Sequence, residues 1–169
     1  NSYMKYIKLS WELIDELTDK IATEVSRNYK EIKFIYGIPR GGLIPAVILS
    51  HKLGIKLIND VFSHTLTVDD IVDTGETMKI RVTEANIWGD TRNIVTTSLV
   101  TRSSAEYKPD ITGMPLRSDG WVCYPWENPE HYNNDASEYM SRHDKSYIQK
   151  NLPKKIPTVY PIITQKGRE

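Results

Sequence analysis

The sequence predicts an α/β fold, a central and mainly parallel sheet flanked by helices, and three observations predict it. Short apolar runs rich in branched and aromatic residues recur at 32–38, 55–58, 67–72 and 93–100. Stretches with helical spacing or helical length precede or separate them. Two turn signals, Pro39-Arg40-Gly41-Gly42 and Asp73-Thr74-Gly75, follow strands and open directly into helical sequence. Strands followed by helices imply parallel pairing, because the chain must recross the sheet before each new strand.

The elements follow in order. Residues 10–25 place Leu13, Ile14, Leu17, Ile21 and Val25 at three- and four-residue spacing, with Ser10 positioned to cap the start of an amphipathic helix. Residues 32–38 form a strand ended by Pro39 to Gly42, and the following LIPAVILSHKLG is a helix closed by Gly54. Residues 55–58 give a second strand and 67–72 a third, with a helix beginning near Thr77. After Gly89-Asp90 come a strand at 93–100, a turn-rich stretch, and a short strand at 121–124 before Pro125. From Asn128 the composition turns polar, with a helix expected around 136–150 and an extended arm in the proline-bearing end, LPKKIPTVYPIITQKGRE. The expected organisation is therefore one domain over 1–127 and a C-terminal helix and arm over 128–169, placed to cover the site or an interface.

Composition narrows the function. Lysine plus arginine (22) balance aspartate plus glutamate (22), so no global field draws in a polyanion, and nucleic acid is not an expected partner. No apolar run approaches the roughly 18–20 residues that span a bilayer, and no signal-peptide pattern opens the chain, so a soluble cytoplasmic protein without a membrane partner is expected. The single cysteine, Cys123, allows neither an internal disulfide nor a cysteine metal cluster, and it reads as a packed thiol. The common nucleotide-binding glycine motifs and the His-Glu-x-x-His metal motif are absent.

The segment richest in chemistry is Thr67-Val68-Asp69-Asp70-Ile71-Val72-Asp73-Thr74-Gly75-Glu76-Thr77. A strand delivers carboxylates to its carboxyl end, where open α/β sheets bind ligands, and small residues then turn the chain into a helix. The N–H groups of Thr74, Gly75, Glu76 and Thr77 at that helix start suit an anion, and the Thr74 and Thr77 hydroxyls add donors. Asp69 and Asp70 suit ribose hydroxyls and a hydrated Mg²⁺, which takes one or two carboxylates plus substrate oxygens. The competing reading is an acidic turn that caps a helix; the branched residues Val68, Ile71 and Val72 between the acids weigh against it.

VDDIVDTGET, residues 68–77, resembles the 5-phosphoribosyl-1-pyrophosphate (PRPP) motif of the type I phosphoribosyltransferases. Gly37-Ile38-Pro39-Arg40-Gly41-Gly42 is similar to that family's pyrophosphate loop. Tyr6-Ile7-Lys8-Leu9-Ser10-Trp11 and Trp121-Val122-Cys123-Tyr124-Pro125-Trp126-Glu127 resemble segments of the bacterial xanthine-guanine members. The resemblance spans roughly residues 5–127. It implies a Mg²⁺-dependent transfer of phosphoribose from PRPP to a purine base, giving a nucleotide, by a homodimer or homotetramer. Arg40 and Gly41 would hold pyrophosphate. Asp69, Asp70, Ile71, Val72, Asp73, Thr74, Gly75, Glu76 and Thr77 would hold the ribose phosphate, with Asp69 and Asp70 also meeting the metal. Asp73 would be the catalytic base or charge stabiliser near purine N7. Trp121 would stack on the purine, the Val122 main chain would read its edge, and Arg102 or Lys108 would meet its 6-oxo group, with Asp119 and Glu127 as further contacts. His64, next to the acidic segment in sequence, is a minor ligand candidate.

One departure stands out. The family carries a long flexible hood between the second and third strands, and here only residues 59–66 separate the two runs. A truncated hood lowers turnover or lets water compete, unless the C-terminal arm covers the site. It also opens an alternative, a non-catalytic PRPP- or nucleotide-binding regulator of the same fold.

Overall fold

The computed structural model describes residues 5–88 and 93–143. In chain order the elements are β1 (Tyr6–Lys8), α1 (Trp11–Asn28), β2 (Phe34–Gly37), α2 (Leu43–Leu53), β3 (Lys56–Ile58) and β4 (Thr65–Val72). They continue with α3 (Glu76–Trp88), β5 (Val95–Arg102), β6 (Ile111–Leu116), β7 (Trp121–Cys123), a 3₁₀ turn at Pro129–His131 and α4 (Tyr132–His143). Among the described residues two compact units form, residues 11–118, and residues 5–10 with 119–143.

The larger unit is a five-stranded sheet in the order β3-β2-β4-β5-β6, with every pairing parallel. The expected mainly parallel sheet flanked by helices is thus observed. Strand β4 is central and its first residues, Thr65 to Val68, are fully buried, as a two-sided parallel strand requires. Helix α1 turns Ile14, Leu17, Ile21 and Val25 inward and packs against β5, β6 and α2, and Lys20 Nζ donates to the Gly113 carbonyl at 2.8 Å. Leu13, expected on that stripe, is only half-buried. Helix α2 packs on β2, β3 and β4 through Ala46 and Leu49, and ends where Gly54 takes a left-handed φ of 65°, its N–H donating to Ser50. Met78 anchors α3 in a cluster with Tyr36, Ile38, Val61, Val72 and Ala105.

Two strands escaped sequence reading. The expected turn-rich stretch contains β6, whose Gly113 and Pro115 imitate a turn. Pro115 is tolerated because β6 is an edge strand, and Gly113 is required because a Cβ there would lie 2.4 Å from the Leu99 carbonyl oxygen. β1 is too short to read, and it pairs in parallel with β7 as the two-stranded sheet of the smaller unit. Helix α4 begins at Tyr132, earlier than expected. Residues 144–150 of that expected helix, and the C-terminal arm, lie outside the described residues.

The link from β3 to β4 is short. It runs over residues 59–64 with no helix, although parallel strands ordinarily need a crossover of a dozen residues or more. Because β3 is so short, the link descends little and steps over two strand spacings, about 10 Å, within the reach of about 20 Å of an extended segment that size. Val61 packs with Tyr36 and Ile58 on the way, and Phe62 is left 57% exposed.

Leu99, fully buried in β5, should be among the costliest truncations: Leu99→Ala is expected to lose about 2–5 kcal/mol in urea unfolding. A loss under about 1 kcal/mol would mean that the centre of the sheet is not where the core is tightest.

Candidate functional site

The site is set by unequal strand lengths. β4 pairs with β2 only over Thr65 to Val68, but with β5 as far as Val72. Asp69 to Val72 therefore runs past the end of β2. The Ile38 N–H adds one more bond, to the Val68 carbonyl at 2.9 Å, and the chain then turns through Pro39 to Gly42. Gly41 fills the space beside the projecting strand. A Cβ on it would lie 2.1 Å from Asp70 Oδ2, so a larger residue would push that carboxylate aside. The Gly42 N–H donates to the Ile38 carbonyl at 2.9 Å, α2 begins directly after, and the Arg40 side chain stays exposed. The Pro39–Arg40 peptide is cis.

The carboxylates on β4 fold back onto the strand. The Asp70 N–H donates to Asp69 Oδ1 at 2.8 Å, and the Ile71 N–H to Asp70 Oδ1 at 2.9 Å. Burial holds the Asp69 carboxyl well above its usual 3.8; the Asp70 charge and a hydrogen bond with its side chain push it the same way. Such a pair gains from a positive partner or hydroxyl donors. No group of three or more His, Cys, Asp or Glu among the described residues forms a metal cage. Two adjacent carboxylates fit Mg²⁺ completed by water and ligand oxygens rather than by protein alone.

Beyond Val72 the chain turns. Asp73 is half-buried, Thr74, Glu76 and Thr77 are exposed, and Gly75 holds φ at 90°. Thr74 Oγ1 accepts the Glu76 N–H at 3.2 Å, and the Thr74 carbonyl accepts the N–H groups of Glu106 at 3.1 Å and Tyr107 at 3.2 Å. Behind Gly75 lies Tyr107, whose carbonyl oxygen would be 2.3 Å from an added Cβ. Asp73 Oδ1 meets Arg102 Nε at 2.7 Å, and Arg102 Nη1 donates to the Ser118 carbonyl at 2.8 Å.

Arg40, Gly41 and residues 69–77 thus converge at the carboxyl ends of β2 and β4, and Arg102 joins them through Asp73. Lys108 faces elsewhere, donating to the carbonyls of Ser103 at 2.8 Å and Ala105 at 3.2 Å. Asp110, in the same Lys-Pro-Asp run, clips β5 to β6 by accepting the Thr96 N–H at 3.0 Å. His64 precedes β4, at the end opposite Asp69 to Val72, its carbonyl accepting from the Lys33 and Phe34 N–H groups. Sequence reasoning missed Tyr107: Gly75 signalled a close backbone approach without saying which segment approaches.

Trp121 and Val122 belong to the smaller unit. Trp121 is half-buried, with its N–H donating to the Lys5 carbonyl at 2.7 Å, and Val122 is buried. Trp126 stacks on Tyr124, ring centroids 4.7 Å apart, and Glu127 Oε1 accepts the Tyr124 N–H at 2.6 Å. Asp119 is exposed. The Cys123 thiol is buried, which pushes it up to about 12 and suits packing rather than reaction.

No family model matches the chain. Two curated proteins, both xanthine-guanine phosphoribosyltransferases, are similar in sequence. That of Idiomarina loihiensis is 29% identical over 152 residues, covering 73% of this chain and 88% of the relative; that of Gluconobacter oxydans is 26% identical, covering 72% and 84%. The purine phosphoribosyltransferase of Pyrococcus horikoshii superposes with a TM-score of 0.64 at 27% identity, over 74% of this chain and 96% of that one. The chain has the fold of the type I phosphoribosyltransferases. The Helicobacter pylori xanthine-guanine-hypoxanthine phosphoribosyltransferase supports the fold alone, with a TM-score of 0.65 at 19% identity over 78% and 99%. The relatives similar in sequence are all named for purine bases.

Asp69 sets a pH dependence. The folded chain keeps the Asp69 proton to higher pH than the unfolded chain does, so folded protein binds more protons above 3.8 and stability falls as pH rises through the raised value. Asp69→Asn should therefore melt higher than wild type at neutral pH, with the gap closing below the usual carboxylate range. Melting scans across pH check this; an equal gap at all pH values would remove Asp69 ionisation as the cause.

Proposed function

We propose that this chain transfers the 5-phosphoribosyl group from PRPP to a 6-oxopurine (guanine, xanthine or hypoxanthine), releasing pyrophosphate and a nucleoside monophosphate. The observation that carries this reading is the contact of Gly41 with the Asp70 carboxylate. It sets the loop that resembles a pyrophosphate site against the strand end that resembles a ribose phosphate site. One ligand with a pyrophosphate at one end and a phosphate at the other can then meet both.

The N–H groups of Gly75, Glu76 and Thr77 take the 5-phosphate, where the α3 dipole favours an anion. Asp69 and Asp70 take the ribose hydroxyls and hold Mg²⁺, which when bound neutralises charge on the departing pyrophosphate. Arg40 and the Gly41 backbone draw pyrophosphate away. The C1–oxygen bond breaks with its electron pair on pyrophosphate, purine N9 bonds to C1 across an oxocarbenium-like state, and the ring proton leaves. Asp73, oriented by Arg102, stabilises the positive charge that builds on the purine near N7 and takes up its proton. Arg102 is the basic group assigned to the 6-oxo oxygen, because it is held at the strand end beside Asp73 whereas Lys108 is turned to loop carbonyls. The resemblance assigns the stacking face to Trp121 and the purine edge to the Val122 main chain. No helix among the described residues is long and apolar enough to cross a membrane.

Incubation with PRPP, Mg²⁺ and each base in turn, followed by chromatography, should yield a nucleoside monophosphate and pyrophosphate in equal amounts. No product, with thermal stabilisation by PRPP, would leave a binding protein only. Asp73→Asn should lower turnover by about 10²–10⁴-fold while sparing PRPP binding; unchanged turnover would remove Asp73 from the mechanism.

A further inference from the structure

The segment between β5 and β6 does more than connect them. Ala105 is buried with Val72 and Met78, the two residues that bracket the turn at 73–77. From the same segment, the N–H groups of Glu106 and Tyr107 both donate to the Thr74 carbonyl. The Thr74–Gly75 peptide is trans, so its C=O and N–H point in opposite directions. With the Thr74 oxygen held inward by Glu106 and Tyr107, the Gly75 N–H is aimed away from that segment, to the side where an anion at the α3 start would lie. The Tyr107 backbone closes the space beside Gly75, where an added Cβ would lie 2.3 Å from the Tyr107 carbonyl oxygen.

What shapes the segment itself is Lys108. Its ammonium reaches back to two carbonyls, Ser103 at 2.8 Å and Ala105 at 3.2 Å, while the Ala105 N–H closes a turn onto the Arg102 carbonyl at 3.0 Å. A lysine that meets two main-chain oxygens in one loop acts as a staple: it satisfies carbonyls that the turn leaves without strand partners and fixes the direction of the next amides. Those amides are Glu106 and Tyr107.

We propose that Lys108 is a positioning residue for the phosphate-binding turn: by tying the Ser103 and Ala105 carbonyls it presents the Glu106 and Tyr107 amides to Thr74 and so orients the Gly75 N–H toward a ligand phosphate. This rests on the function proposed above and gives Lys108 a different task from a purine contact. The chain of action runs from the ammonium through the loop and the Thr74 carbonyl to the anion.

Two variants of the full chain test it, Lys108→Met, which removes the donors, and Lys108→Arg, which keeps them. Amide hydrogen exchange without ligand should quicken at Glu106 and Tyr107 in Lys108→Met by roughly fivefold, the loss of one hydrogen bond's net worth, and stay near wild type in Lys108→Arg. Affinity for PRPP with Mg²⁺, and for ribose 5-phosphate alone, should fall by a similar factor in Lys108→Met, with Lys108→Arg restoring most of it and the KM for purine base unchanged. Unchanged exchange at both amides overturns the proposal, as does a loss of purine affinity with phosphate affinity intact, which would return Lys108 to the base. If the wild-type chain itself takes up no PRPP, the proposed function fails, and exchange at Glu106 and Tyr107 still decides whether Lys108 holds the turn.

Discussion

Parallel pairing is the constraint from which the rest of the larger unit follows. Strands that all run one way bring their carboxyl ends to one edge, and β4 outruns β2 on that edge by the residues Asp69 to Val72. Within β4 the charged side chains stand only there, because its earlier positions are buried. The polar chemistry of the site is thus concentrated where the hydrogen-bonded ladder stops on one side and the Pro39 to Gly42 loop takes its place.

Two glycines convert that edge into a site by what they lack. Gly41 allows a backbone to lie on a carboxylate, and Gly75 allows the turn after β4 to lie on Tyr107 at a φ that other residues adopt with strain. Each brings segments distant in sequence into contact, Gly41 against a side chain and Gly75 against a backbone. Side chains then refine the arrangement: Asp70 caps the Ile71 N–H, Arg102 ties Asp73 to the Ser118 carbonyl, and Lys108 ties the loop behind Gly75. The acidic pair is the costly part, since burial and the neighbouring Asp70 charge both oppose ionisation of Asp69.

Much of this was legible in the sequence, for physical reasons that differ between segments. The α1 stripe and the Gly54 stop follow from local periodicity and backbone freedom, and the DDIVDTGET segment announces a strand end because acids interrupt an apolar run just before a glycine. Boundaries drifted by a few residues where burial outlasts the apolar pattern, as at Thr65 in β4 and Arg102 in β5. β6 was invisible because its glycine and proline answer to tertiary facts, the close Leu99 carbonyl and an edge position. The contact of Tyr107 with Gly75 and the ion pair of Arg102 with Asp73 are equally tertiary. The loop contacts of Lys108 were not legible, since a Lys-Pro pair looks the same whether its ammonium faces a ligand or its own loop.

The pairing of β1 with β7 has a consequence for how the chain is made. Residues 6–8 are synthesised before every strand of the larger sheet, yet their strand partner among the described residues, 121–123, is synthesised after all of them. A parallel ladder has no hairpin to start it, so nothing local can hold this first segment in the meantime. During translation at about 5–20 residues per second, the larger sheet can close while the N-terminal strand waits. The smaller unit is therefore completed after the larger sheet, and it joins the first residues of the described chain to some of the last.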